Sequence, residues 1–100
     1  ETFGFFFSER RVKFIHINSA LDDSLKRFVC AHELGHCILH PKLNTSFMQK
    51  NTFFSVDRIE KEANIFAVKL LVHNISILEG ETKYQFCMRV GLPIEMAGYL

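Results

Sequence analysis

His32-Glu33-Leu34-Gly35-His36 lies in an apolar stretch of the chain and places two histidines four residues apart. On an α-helix, residues four apart project from adjacent turns of one face, so both imidazoles can reach one tetrahedral Zn²⁺. Glu33 then points beside the metal, where a general base for a zinc-bound water has to sit. The motif therefore predicts a helix that carries two metal ligands and a catalytic carboxylate.

The composition restricts the classes of protein to consider. The chain has 100 residues, of which 48% are hydrophobic, so we expect residues 1–100 to form a single domain with a sizeable core. The net charge of +1 is made of interspersed charges, which argues against direct binding to nucleic acid or to an anionic membrane. No apolar run approaches the length of a membrane helix, and no signal peptide is visible.

The cysteines and the first residue bear on where the protein works. Cys30, Cys37 and Cys87 are odd in number and lack a C-x-x-C spacing, which favours reduced thiols and a cytoplasmic location. The chain begins at Glu1 without a methionine. That start is compatible with a domain truncated at its N-terminus from a longer protein.

Two segments before the motif are rich in aromatic and β-branched residues, namely 3–7 and 12–18, and the polar residues 8–11 separate them. They predict a β-hairpin. The second strand carries apolar side chains on both sides, so we expect it to be covered on at least part of both faces.

The motif helix is predicted to start near Ser19, which has the spacing of a capping box with Asp22, and to end at His40 before Pro41. It is apolar nearly all round, which predicts a central, buried helix. Cys30 and Cys37 point away from the two histidines, so we expect them to pack in the core rather than bind metal.

Residues 42–55 are predicted to form a loop or an irregular strand. A helix is predicted over 58–72, which Asp57 could cap, and a short helix over 84–90. Gly91, Leu92 and Pro93 then lead into a last helical turn.

A catalytic zinc normally has three protein ligands, so the motif needs a partner. The candidates are three further histidines, His16, His40 and His73, and the carboxylates. On the second helix an apolar stripe is formed by Ile59, Ala63, Phe66, Ala67, Leu70 and Leu71.

Glu60 and Asn64 fall at the edge of this stripe, whereas Glu62 shares the outward side with Lys69. A carboxylate on the buried side requires a positive partner such as a metal ion. Capping together with Asp57 explains Glu60 equally well. Asn64 could orient a metal ligand or could bond to a loop backbone.

Residues 27–40, Arg27-Phe28-Val29-Cys30-Ala31-His32-Glu33-Leu34-Gly35-His36-Cys37-Ile38-Leu39-His40, and the block Glu60-Lys61-Glu62-Ala63-Asn64-Ile65-Phe66-Ala67-Val68-Lys69-Leu70-Leu71 resemble the ImmA/IrrE family of zinc metallopeptidases. That family pairs R-F-x-x-A-H-E-L-G-H-x-x-L-H with E-x-x-A-N-x-F-A-x-x-L-L. The resemblance covers nearly the whole chain. It implies a small zincin-like α+β domain, with a short antiparallel sheet against the active-site helix and a second helix that supplies the acid.

The resemblance also implies the site and the activity. His32, His36 and Glu60 would be the Zn²⁺ ligands and Glu33 the base of a metallo-endopeptidase. Its substrate would be a cytosolic helix-turn-helix repressor of a phage or mobile element. The chain departs from the family at Val72-His73, where members often have a hydrophobic residue and a proline. We expect His73 to be a surface histidine.

We expect His40 to cap the end of the motif helix. Neither Tyr84 nor Tyr99 lies in a motif that would nominate it as an oxyanion partner.

Two other functions stay open. The protein could be a zinc-containing binding module that docks on a repressor without cutting it. It could also hold a structural zinc, which predicts a fourth protein ligand such as His40 or His16.

Overall fold

The chain starts with a β-hairpin, in which strands β1 (Gly4–Glu9) and β2 (Val12–Ile17) pair antiparallel with Phe6 opposite Ile15. The computed structural model describes residues 2–42 and 58–100. Arg10 and Arg11 form the turn with φ values of 51° and 68°. A two-residue loop with both residues at positive φ is a type I′ turn, which matches the twist of the strands it joins. The predicted hairpin is confirmed.

The motif helix α1 (Asp23–Leu39) follows the hairpin. Its N-cap is Asp22, whose Oδ1 accepts a hydrogen bond from the Leu25 amide at 2.8 Å. The predicted capping box from Ser19 is therefore wrong. Asn18 explains the later start, because its side chain accepts from the Ala20 amide and its carbonyl from the Leu21 amide, which holds these residues in a turn.

The hairpin packs on α1 through one face only. Phe6 and Gly4 are buried on that face. On the opposite face the rings of Phe5 and His16 stack with their centroids 4.9 Å apart, and those of Phe7 and Phe14 stack at 5.0 Å. Phe14 remains 40% exposed. The expectation that both faces of β2 are at least partly covered finds no support among residues 2–42 and 58–100, where α1 is the helix that packs on the sheet.

Three elements complete the fold: α2 (Arg58–Val72), α3 (Lys83–Val90) and a 3-10 helix (Ile94–Tyr99). Thr82 and Gln85 form a capping box at the start of α3, and Gly91 ends α3 in a left-handed conformation. Arg27 of α1 donates a hydrogen bond from Nη2 to the Val90 carbonyl at 2.7 Å, which ties α1 to the end of α3. The predicted helices are confirmed, while the loop over 42–55 and the Asp57 cap lie outside the described residues except at Lys42.

The core lies where α1 and α2 meet α3 and the 3-10 helix. Its most buried members are Phe28, Val29, Ala67, Val68, Cys87 and Met96. The far side of α1 is not part of it, because Cys30 and Ile38 are exposed. The prediction of a helix buried all round, with Cys30 in the core, is therefore wrong, whereas Cys37 is buried as expected.

The predicted α+β class is confirmed: a small antiparallel sheet packs on the motif helix, and a second helix crosses it. On α2 the buried residues are Ala63, Asn64, Ala67 and Val68. Leu70 was predicted in the apolar stripe but is 44% exposed. Within residues 2–42 and 58–100, no helix has both the length and the apolar character needed to cross a bilayer.

Candidate metal centre

Helices α1 and α2 bring three side chains of metal-binding type together. His32 and His36, one turn apart on α1, are 0% and 1% exposed, and Glu60 comes from the first turn of α2. The two Nε2 atoms are 3.1 Å apart. Glu60 Oε1 lies 3.0 Å from Nε2 of His32 and 3.3 Å from Nε2 of His36. The three atoms form a nearly equilateral triangle.

This triangle fits a tetrahedral metal ion. Ligand atoms about 2.0–2.1 Å from Zn²⁺ in a tetrahedron are roughly 3.3 Å from each other, close to the separations observed between His32, His36 and Glu60. Two imidazole nitrogens and one carboxylate oxygen are also ligands that zinc prefers. Among the described residues these three form the group that could hold a metal, and no fourth His, Cys, Asp or Glu joins it.

The other histidines considered as ligands, including the fourth-ligand candidates His16 and His40, therefore do not enter the cluster. His16 stacks on the outer face of the hairpin. His73 is exposed and contacts the Leu70 carbonyl at 3.2 Å. His40 faces the opposite ring nitrogen of His36, the one turned away from Glu60. The prediction of a structural zinc with four protein ligands finds no support among residues 2–42 and 58–100.

The second ring nitrogen of His32 is held by Asn64. Nδ1 of His32 lies 2.8 Å from Oδ1 of Asn64, which is fully buried on α2. Because an amide oxygen only accepts, this contact requires a proton on Nδ1 and leaves Nε2 to face the cluster. The Asn64 amide nitrogen donates in turn to the hydroxyl of Tyr99 at 3.4 Å. Tyr99 was not nominated from the sequence, because nothing local connects it with a residue 35 positions earlier.

The second ring nitrogen of His36 has a different partner. Its Nδ1 lies 3.0 Å from Nδ1 of His40, and Nε2 of His40 lies 2.7 Å from Oε1 of Glu62. Glu62 was expected to point outward with Lys69, but it reaches back to the end of α1. The backbone N–H of His40 does cap α1 on the carbonyl of His36. The repeated spacing of four residues from His32 to His36 to His40 is the signal that could have found this contact.

Electrostatics favour an ionised Glu60. Burial raises the pKa of its carboxyl group, but in the metal-free protein the hydrogen-bond and charge interactions with the neighbouring rings of His32 and His36 lower it by more. Together they lower the pKa from 4.5 to about 2. The carboxylate is therefore charged at neutral pH and available as a ligand.

Two apolar rings lie beside the histidines of the cluster. Phe6 of β1 stacks near His36 with the ring centroids 6.2 Å apart, and Phe28 lies 6.1 Å from His32. Both phenylalanines are fully buried. Glu33, the proposed base, is fully buried too and directly follows His32 on α1. Low surrounding polarity strengthens any electrostatic interaction at such a site.

The two helices are in close contact at the motif glycine. A Cβ built on Gly35 would lie 3.1–3.2 Å from Cδ1, Cβ and Cγ of Phe66. A residue with a side chain at position 35 would thus press against α2. The absence of a side chain lets the helix with the two histidines approach the helix with Glu60.

The comparisons with known proteins agree with this geometry. The model of a peptidase family, described as the IrrE N-terminal-like domain, matches residues 2–85. The chain belongs to this family. The ImmA/IrrE resemblance of the two sequence blocks is thereby confirmed, and with it the assignment to a family of metallopeptidases.

Two curated relatives are similar to this IrrE-like chain. An uncharacterized immunity region protein 2 of Bacillus phage phi105 is 44% identical over 97% of the chain and 64% of its own length. The metallopeptidase ImmA of Bacillus subtilis (strain 168) is 32% identical over 85% of the chain and 53% of its own length. The chain thus spans between about half and two thirds of the length of these relatives. No solved structure matches it significantly.

Proposed function

We propose that this chain is a zinc-dependent endopeptidase that hydrolyses a peptide bond in a cytosolic protein, a helix-turn-helix repressor of a phage or mobile element. The observation that supports this proposal best is the triangle of His32, His36 and Glu60 in a member of a peptidase family. Three protein ligands leave the fourth position of a tetrahedral ion open, as catalysis requires.

Each side chain has a separate role in the proposal. His32, His36 and Glu60 hold the ion, and Asn64 fixes the ring of His32 through its Nδ1 proton. Zinc bound by these residues would polarise the scissile carbonyl and acidify the attacking water. Glu33 would take a proton from the water on its carboxylate and pass it to the leaving amine nitrogen. Ionised Glu60 offsets part of the charge of the ion.

The names of the two relatives support a regulatory protein as the substrate. One relative is named for the immunity region of a Bacillus phage and another is named a metallopeptidase. A peptidase in a phage immunity region is well placed to act on a regulatory protein, which supports a repressor as the substrate. We do not expect direct contact with nucleic acid, since the charge of +1 provides no basic surface for it.

The activity is tested with Glu33→Gln, which retains the shape of the side chain but cannot accept the proton. Full-length wild-type protein and the variant are produced in the native host, and new protein N-termini are identified by labelling and mass spectrometry. We expect a new N-terminus within a helix-turn-helix repressor in wild-type cells alone. A new N-terminus in another class of protein would refute the repressor as substrate. If repression is relieved equally by both forms while the repressor stays intact, the protein is a non-cleaving anti-repressor.

The ligand set is tested by metal analysis of purified protein. We expect one zinc per wild-type chain and one per E33Q chain, because Glu33 is not a proposed ligand. Glu60→Gln should lose the zinc on dialysis. Glu79→Gln, at an exposed glutamate away from the site, is the matched control and should retain it. Zinc retention by E60Q would contradict the assignment of Glu60.

A further inference from the structure

A chain of polar contacts extends from the metal cluster to the surface. It runs from His36 through His40 to Glu62, with separations of 3.0 Å and 2.7 Å between the contacting atoms. The side chain of His40 is 11% exposed and that of Glu62 is 37% exposed. Arg58, on the outer side of Glu62, lies 3.2 Å away and is almost fully exposed. The chain of contacts therefore becomes more polar and more solvated with distance from the cluster.

Only one assignment of protons to the neutral rings of His36 and His40 is compatible with this series of contacts. A metal binds an unprotonated ring nitrogen, so Nε2 of His36 carries no proton and its Nδ1 does. Nδ1 of His36 then donates to Nδ1 of His40, which must be unprotonated. The proton of His40 therefore sits on Nε2, where it is donated to the Glu62 carboxylate, an acceptor only. If His40 carried its proton on Nδ1 instead, two N–H groups would face each other at 3.0 Å, and a lone pair on its Nε2 would face the Glu62 carboxylate at 2.7 Å.

We infer that His40 and Glu62 form a positioning relay that fixes the tautomer and orientation of His36 for metal binding. The inference rests on the proposed metal site. Histidines that bind metals usually donate their other N–H to a carboxylate or carbonyl, which also makes the ligand nitrogen more basic. Asn64 does this for His32 through a neutral amide. His36 instead donates to the imidazole of His40, which in turn donates to the carboxylate of Glu62.

The relay is separable from the capping role of His40. The cap is made by the backbone N–H of His40, which bonds to the His36 carbonyl. Replacing the side chain retains that bond. A purely structural contact between the end of α1 and α2 would affect the stability of the metal-free protein. A positioning relay affects the affinity for zinc and the location of the ring protons.

The experiment measures the zinc dissociation constant of the full chain by competition with a chelator. His40→Leu removes the acceptor for His36, and we expect about 10–100-fold weaker binding, as is typical for partners of metal ligands. His40→Asn places an amide oxygen close to the former Nδ1 position and should lose less. Glu62→Gln retains an acceptor without the charge and should also lose less than H40L. His73→Asn and Glu79→Gln, at exposed residues, are matched controls and should bind as wild type.

A second measurement needs no variant. In zinc-loaded wild-type protein, nitrogen-15 NMR of the histidine rings should show a proton on Nδ1 of His36 and on Nε2 of His40, with Nδ1 of His40 unprotonated. A proton on Nδ1 of His40 would overturn the relay, whether or not the variants fold. Unchanged zinc affinity in folded H40L, with lower stability of the metal-free protein, would overturn it as well. If wild-type protein binds no zinc, the proposed function fails together with the relay.

Discussion

Gly35 sets the separation between the two ligand-bearing helices, and Gly35→Ala tests this directly. The added Cβ would lie 3.2 Å from Cβ of Phe66, whereas carbon atoms in contact prefer about 3.5–4.0 Å. Cγ and Cδ1 of Phe66 can move by rotating the ring. Its Cβ is fixed to the backbone of α2, so the helices themselves must separate by a few tenths of an ångström.

Two opposing terms decide the size of the effect. Alanine gains about 1 kcal/mol over glycine inside a helix, and overpacking a close contact costs about 1–3 kcal/mol. We therefore expect G35A to lower the free energy of unfolding by about 0–2 kcal/mol relative to wild type. Zinc should bind several-fold more weakly, because His36 and Glu60 move apart with the helices.

The assay is urea unfolding of metal-free protein, together with chelator competition for zinc. Phe66→Gly removes Cβ together with the ring, so a double-mutant cycle should show at least about 0.5 kcal/mol of favourable coupling between G35A and F66G. The close-packing explanation would be refuted if G35A raised the free energy of unfolding by the full helix propensity of about 1 kcal/mol and bound zinc as wild type. Equal penalties for G35A with and without F66G would also refute it.

Three further predictions concern other parts of the molecule. Replacing Arg10-Arg11 by Asn-Gly should stabilise the protein by about 1–2 kcal/mol in thermal or urea unfolding, because these residues adopt the left-handed backbone of the type I′ turn with less strain; no gain would contradict the turn geometry. Glu81→Gln should lower the melting temperature at pH 7. Hydrogen bonds from Arg89 and from the backbone N–H of Leu78 lower the pKa of Glu81 below 4.5 in the folded state. The stabilisation is complete above pH 4.5 and is lost as the pH falls through the lowered pKa, so the two melting temperatures should converge in acid; a constant difference would argue against the ion pair. Asn64→Leu should weaken zinc binding about 10–100-fold in the chelator assay, whereas Asn74→Leu at an exposed asparagine should not.

Much of the fold could be predicted from the sequence because its elements have strong local signals. The hairpin follows from two β-prone segments around a polar turn, and α2 and α3 follow from periodicity and caps. Periodicity failed at Cys30 and Ile38. It identifies residues that share a face of a helix but contains no information on whether another element reaches that face.

The start of α1 shows a second kind of limit. Ser19 and Asp22 have the spacing of a capping box, yet Asn18 uses the intervening amides for a turn, and Asp22 becomes the cap itself. Two local motifs compete for the same backbone N–H groups. The spacing alone does not show which of them is more stable.

The site was predictable as far as helical geometry extends. The positions of Glu60 and Asn64 on the inner side of α2 agree with the prediction. The contact between His40 and Glu62 was missed, because it depends on the crossing of α1 and α2 at the end of α1. The partner of Asn64 in the 3-10 helix, Tyr99, depends likewise on the packing of distant segments.

Dividing the proposed metal ligands between α1 and α2 has a consequence for newly made protein. An undocked α1 offers a metal only its pair of histidines, so full affinity arises when α2 is in place, and the free energy of zinc binding becomes part of the free energy of folding. A nascent or misfolded chain would carry no complete reactive centre. Under the proposed function, a complete catalytic centre would therefore form only with the finished fold.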